Sequence, residues 1–232
     1  MSEGSDGVRF KLFGVPVLIR PSFWIVAVLL GLNGAGRLDA DGILIITSWV
    51  SVMTVSILIH EFGHAAAMSV YKFRPTIELH SMGGLAHFGS SGRLTRKAAV
   101  IVSLAGPAAG LLVGLLMLPV YLSLTRDSPF ALRVFATHWV YVNIAWSVFN
   151  LLPVLPMDGG RVAEDLLSTR PKAWQRARIL SVVTAVLCAI AAVIFMDRPW
   201  FIVLMLLYFA GYSFSQLKEQ RATSMLRRPP ID

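Results

Sequence analysis

The sequence predicts an all-α polytopic membrane protein of six transmembrane helices that carries a small membrane-associated β-sheet or hairpin. Hydrophobic residues make up 56% of the 232 and charged residues 15%, with a mean hydropathy of +0.67. That balance is far from a soluble domain's. Apolar runs of spanning length divide the chain into roughly Pro21–Gly36, Ile43–Val70, Ala98–Leu124, Phe130–Leu152, Trp174–Met196 and Pro199–Ser215. Lys and Arg then alternate between the connecting segments, with seventeen on one side and four (Arg37, Arg126, Arg133, Arg198) on the other. Cytoplasmic loops collect basic residues, so both termini are expected inside the cell, and the alternation holds only with six spans. The same bias, with contact to anionic lipid, accounts for the net charge of +8 without invoking nucleic acid.

Three segments follow: 1–20, a cytoplasmic stretch with short strands; 21–216, the six-span membrane domain; and 217–232, a basic cytoplasmic tail. Met1 to Gly7 is small, polar and acidic, unlike the positive start of a signal peptide, so the first span is expected to stay as an anchor. Val8-Arg9-Phe10-Lys11-Leu12 alternates apolar with charged, and Val15 to Ile19 is apolar and β-branched, so both read as strands. Thr76 to Phe88 reads as a hairpin turning near Gly83-Gly84. Glu164 and Asp165 fall on an amphipathic helix, where a solvated face explains them. The tail from Lys218 is charged and is expected to be disordered. Cys188, the only cysteine, permits no internal disulfide.

Inside the second run stands His60-Glu61-Phe62-Gly63-His64. On a helix, residues four apart lie about 40° apart, so both imidazoles can turn to one metal ion while Glu61 reaches its water as general base. Chance would give this spacing in roughly one chain in a few hundred. Ionisable groups inside an apolar span are costly, which favours a functional reading over two core histidines and a stray acid. Catalytic zinc takes three protein ligands as a rule. The best candidate for the third is Asp158, in Asn150-Leu-Leu-Pro-Val-Leu-Pro-Met-Asp-Gly-Gly160, where Pro153 and Pro156 break the helix. Standing alone, Asp-Gly would be a turn signal. His60, about 15 Å before the cytoplasmic end of its span, and Asp158, just past the cytoplasmic end of the fourth, approach the same membrane side, as one metal requires. His138 is too far from Asp158 along its helix to be a ligand. His80 and His87, in the hairpin on the same side, read as surface or packing residues, with a supporting role beside the metal as the alternative.

On His60–His64 and the Asn-x-x-Pro-x-x-Pro-x-Asp-Gly pattern at 150–159, in that order, with Gly83-Gly84 and Ala105-Gly106-Pro107, the chain resembles the site-2 proteases, intramembrane zinc metalloproteases of peptidase family M50. The resemblance spans about residues 10 to 168. It implies one zinc ion per chain held by His60, His64 and Asp158, Glu61 as catalytic base, and Asn150 as a polar group aiding substrate or oxyanion binding. It also implies that the sheet, through Gly83, Gly84 and Leu85, offers an edge to an extended substrate. Family members often place Asn three residues after the Gly-Pro pair, where this chain has Gly110. No stretch between spans is long enough for a PDZ or CBS module, so a minimal form is expected.

The activity so implied is zinc-dependent hydrolysis of peptide bonds in or near transmembrane segments, in a multi-pass protein of the cell membrane. Its expected partners are a transmembrane protein substrate, the lipid bilayer and a regulatory membrane protein, with no nucleic acid. The alternative is a non-catalytic protein of the same fold that holds membrane partners. The presence of all four central positions argues against it. A metal transporter would spread polar residues along several helices, whereas here they cluster at one end.

Overall fold

The computed structural model describes residues 6–36, 38–88, 94–169, 172–197 and 200–226. Element order is β1 (Val8–Leu12), β2 (Val15–Ile19), α1 (Pro21–Ala35), α2 (Ala40–Val70), β3 (Pro75–His80), β4 (Gly83–Phe88), α3 (Arg96–Ser123), α4 (Phe130–Asn150), α5 (Asp158–Leu167), α6 (Ala173–Phe195) and α7 (Trp200–Leu226). The protein is thus mostly helical with a small four-stranded sheet. It divides into two compact units, Met1–Phe149 and Asn150–Asp232.

Among the described residues, four helices are long and apolar enough to cross a membrane: α2, α3, α6 and Trp200–Glu219 of α7. This is a membrane protein. α1, at 15 residues, is short for a span, and α4 is not among the four despite its 21 residues, because it interleaves Arg133, His138, Asn143 and Asn150 with apolar residues. The outward faces are apolar, as with Leu187, Ile194 and Phe195 on α6 and Leu204 and Tyr208 on α7. Bare apolar surface on this scale suits lipid, not water. α7 stays helical to Leu226, so residues 218–226 are ordered where the sequence suggested a disordered tail. Residues 1–5 and 227–232, with Arg37, Arg93, Arg170 and Arg198, lie outside the described residues.

In the first unit, α2 is delimited by its own ends. The Asp39 carboxylate accepts from the Gly42 amide at 3.0 Å and Asp41 sits in the first turn. At the far end Phe73 N–H donates to the Met68 carbonyl and Lys72 N–H to that of Ser69, with Lys72 at φ 64°, a Schellman close. A lysine bears the left-handed conformation that glycine usually takes there.

The sheet runs β1-β2-β3-β4, with β2 and β3 parallel and the outer pairs antiparallel. The parallel pairing has α1 and α2 as its crossover, the length such a connection needs. Alternation puts Val17, Ile19, Ile77 and Leu79 on one face, buried against Phe23, Ile57 and Ala65. Ala86 joins Met68 and Val102. The hairpin turns at Ser81-Met82, earlier than Gly83-Gly84, because the His80 ring accepts the Met82 amide and closes the loop. Across the other face Arg20 bonds Glu78, and His87 stands 3.8 Å from the same carboxylate.

One backbone contact fixes what the sheet edge offers. Arg20 N–H donates to the Leu79 carbonyl at 2.9 Å, so Leu79 turns its backbone groups away from β4. Gly84 is paired opposite Leu79. In an antiparallel ladder such a pair is the non-hydrogen-bonded kind, so Gly84, and by alternation Ala86, presents N–H and C=O outward from β4. β3 is an interior strand.

In the second unit, α6 and α7 pack along small residues, including Ala177, Ser181, Ala185 and Ala189 of α6. Glu164 of α5 is not merely solvated: Arg178 bonds it, donates to Gln216 at 2.9 Å and lies over the Trp174 ring. That joins α5 to both longer helices.

Candidate metal centre

A regular helix is enough to bring His60 and His64 together. Their Nε2 atoms are 3.2 Å apart and the rings lie at 80° to each other, with 3% and 6% of each residue exposed. His64 Nδ1 lies 2.7 Å from the Val102 carbonyl of α3. A carbonyl only accepts, so Nδ1 carries the hydrogen, and Nε2, the atom facing His60, is the nitrogen left to serve as a metal ligand. Orienting a ligand histidine through its other nitrogen is usual at metal sites. Two nitrogens at about 2.0–2.1 Å from one tetrahedral ion would stand roughly 3.3 Å apart. The histidine pair fits a zinc ion.

The surroundings are cut to the two functional side chains. A Cβ on Gly106 of α3 would run into the His64 ring, and one on Gly84 would run into the Glu61 carboxylate. Glu61 is 4% exposed, so β4 lies directly over it. Gly83, at φ 118°, backs onto Trp146 of α4. Leu85 is half-buried on the neighbouring strand position. Gly110 sits against the Ser147 hydroxyl, a contact an asparagine would not allow without displacement.

In the second unit Asp158 is 6% exposed and opens α5, where the helix N-terminus favours its negative charge. Behind it, side chains on Gly159 or Gly160 would strike the backbone of Leu151–Leu152 and Val154–Leu155. The glycine pair is thus a close-approach device beneath the acid. Asn150 closes α4, half-buried.

Sequence reasoning did not find the Val102 carbonyl, which has no residue signature. Nor did it assign Gly106 its place under His64, although Ala105-Gly106-Pro107 had stood out as a motif. His138 bonds Ser48 at 3.0 Å, as a packing residue of α4.

The model of peptidase family M50 matches residues 127–194, which hold the Asn150–Asp158 segment. A zinc metalloprotease of Methanocaldococcus jannaschii, MJ0392, is 26% identical over 167 residues, covering 69% of this chain and 45% of that protein. Over part of its length the chain is thus similar to peptidase family M50 and to zinc metalloproteases. A putative zinc metalloprotease of Mycobacterium tuberculosis, Rip3, is 30% identical over 131 residues, covering 54% of this chain and 30% of its own length. The solved structure of a site-2 protease from M. jannaschii shares the fold, with a TM-score of 0.60 at 20% identity over 98% of each chain. The chain spans less than half the length of the curated relatives it matches.

Proposed function

We propose that this protein is an intramembrane zinc metalloendopeptidase that hydrolyses peptide bonds in or near the transmembrane segments of other membrane proteins. The observation that carries the reading is the buried His60–His64 pair, Nε2 to Nε2 at 3.2 Å, inside a helix apolar enough to span, with Glu61 between them. His60, His64 and Asp158 hold the zinc. When bound, the metal acts as a Lewis acid and lowers the pKa of water. Glu61 takes the proton of the attacking water and hands it to the departing amine nitrogen. The Asn150 amide donates to the oxygen that gains charge on the scissile carbonyl. A helical substrate hides its amides, so the segment to be cut is received extended along β4, where Gly84 and Ala86 turn backbone groups outward above Glu61. Gly83 and Leu85 flank that register. Six spans, with both termini cytoplasmic, follow from the basic residues between the runs.

The test is to place the purified protein in lipid vesicles with a set of single-span protein segments and map the bonds cut. Wild type should cleave in a zinc-dependent way, and Glu61→Gln should lose hydrolysis by about 10³-fold or more while keeping one zinc per chain. Substantial cleavage by the variant would remove Glu61 as the base. A zinc-loaded wild type that binds such segments and cuts none would favour a partner-holding protein of the same fold.

A further inference from the structure

We propose that Ser181 and Ser213, buried between α6 and α7, are positioning residues that fix the segment bearing Asp158; this rests on the reading of Asp158 as the third zinc ligand. Residues 151–157 are irregular backbone between α4 and α5, at the end of an apolar helix, and three of them are deeply buried: Val154 is 0% exposed and Leu155 and Met157 are 6% each. A backbone amide buried there without an acceptor is costly. Leu155 N–H donates to the Ser181 hydroxyl oxygen at 2.9 Å. Ser181 Oγ lies 2.9 Å from Ser213 Oγ, and neither serine is exposed at all. The two hydroxyls therefore form a polar contact between helices that also bury small or apolar residues such as Ala185, Ala189, Leu206 and Ala210, apart from the Arg178–Gln216 bond. Their outward partner is the loop.

From that anchor the restraint passes to the acid through the backbone. Met157 N–H donates to the Val154 carbonyl at 2.9 Å, and the Met157 carbonyl accepts from Arg161 N–H at 3.1 Å. Gly159 and Gly160 then press the first turn of α5 onto Leu151 to Leu155. Leu155 and Met157, on either side of Pro156, are thus both held, leaving little slack for the carboxylate. Helix geometry alone sets the two histidines on one face, with the Val102 carbonyl orienting the His64 ring. A carboxylate on a loop needs an external brace, and the serines are that brace.

Ser181→Ala, Ser181→Thr, Ser213→Ala and Asp158→Ala are made in the full chain, and two quantities are read. One is the rate at which a chromogenic chelator strips zinc; the other is hydrogen exchange in the peptide containing Leu155. Ser181→Ala should release zinc about tenfold faster, in the range of outer-shell changes at metal sites, and speed exchange at Leu155. Threonine should restore both, and Ser213→Ala should move both less. Ser181→Cys, a weaker acceptor, should give an intermediate result and stands in if alanine does not fold. Unchanged zinc release and exchange in Ser181→Ala, with zinc lost from Asp158→Ala, would overturn the positioning role alone. Zinc kept by Asp158→Ala would overturn the ligand reading, and this one with it.

Discussion

The two proposed sources of metal ligands are built on opposite principles. α2 is regular from its Asp39 cap to its Lys72 close, and the i, i+4 spacing alone sets two imidazoles on one face. The segment before α5 has no repeat to rely on. It holds Asp158 by a serine hydroxyl, two glycine approaches and a backbone bond or two. The helix therefore makes a pair that survives most distant changes, while the loop makes a ligand whose place depends on residues far away in sequence. Division of a site between a rigid and a braced element has measurable consequences.

The largest effect should come from removing ligands. His60→Ala, His64→Ala and Asp158→Ala are each expected to lose zinc on dialysis, by more than the roughly 10–100-fold in affinity that outer-shell changes cost. Metal analysis checks this. If only the histidine variants lost metal, the third ligand would have to be sought elsewhere, and the comparison with the loop would collapse.

Glycine replacements separate the metal from the base on the helix side. Gly106→Ala drives a methyl into His64, and Gly84→Ala drives one into Glu61. Overpacking of this kind costs about 1–3 kcal/mol. The first should weaken zinc binding and activity together. The second should depress cleavage by about 10–100-fold with zinc content unchanged, since 1.4 kcal/mol is tenfold and the clash falls on the base. Zinc loss in Gly84→Ala would mean that Glu61 and the ligands move as one body.

Proline at the sheet edge sharpens the account of substrate entry. Ala86→Pro removes an outward amide and should slow cleavage while β3–β4 pairing survives, whereas Leu85→Pro removes an amide that faces β3 and should lower thermal stability. Equal loss of stability in both would contradict the register. Prolines across Ile77 to His80 test only sheet integrity, because β3 is paired on both sides.

The smallest effect should be that of pH on the sheet. Arg20's hydrogen bond, opposed in part by burial, holds the Glu78 carboxyl below its ordinary value. A depressed carboxylate stabilises fully above its unfolded pKa and loses that contribution as pH falls through the folded value. Burial lowers the His80 pKa, so the folded ring favours its neutral form and protonation on acidification also opposes folding. Both act in one direction, and hydrogen exchange in β3 and β4 should quicken on acidification. Glu78→Gln should flatten the part in the carboxylate range. The Arg20 and Glu78 side chains are 42% and 23% exposed, so the change is small and shrinks with salt.

Which features were legible in the sequence follows the same division. Apolar run length marked the long helices to within a few residues, except at the C-terminal end of α7, because lipid thickness imposes one length scale, and His60–His64 was legible because its geometry is local. Strands β1 and β2 and the β3–β4 hairpin could be read from alternation and turn residues. Their union into one sheet could not, since the parallel β2–β3 pairing joins residues about sixty apart and leaves no local period. For the same reason Glu164 looked solvated until Arg178 was found beside it, and the turn at Ser81-Met82 looked like a glycine turn until the His80 ring was seen to close it. By itself the sequence determined the membrane class, most of the helices and the candidate histidine pair, because composition, length and i, i+4 spacing act within one segment. Tertiary structure alone decided which tautomer Val102 imposes on His64, which strand has a free edge and which serines brace the Asp158 loop, because each depends on a backbone group meeting a partner distant in the chain.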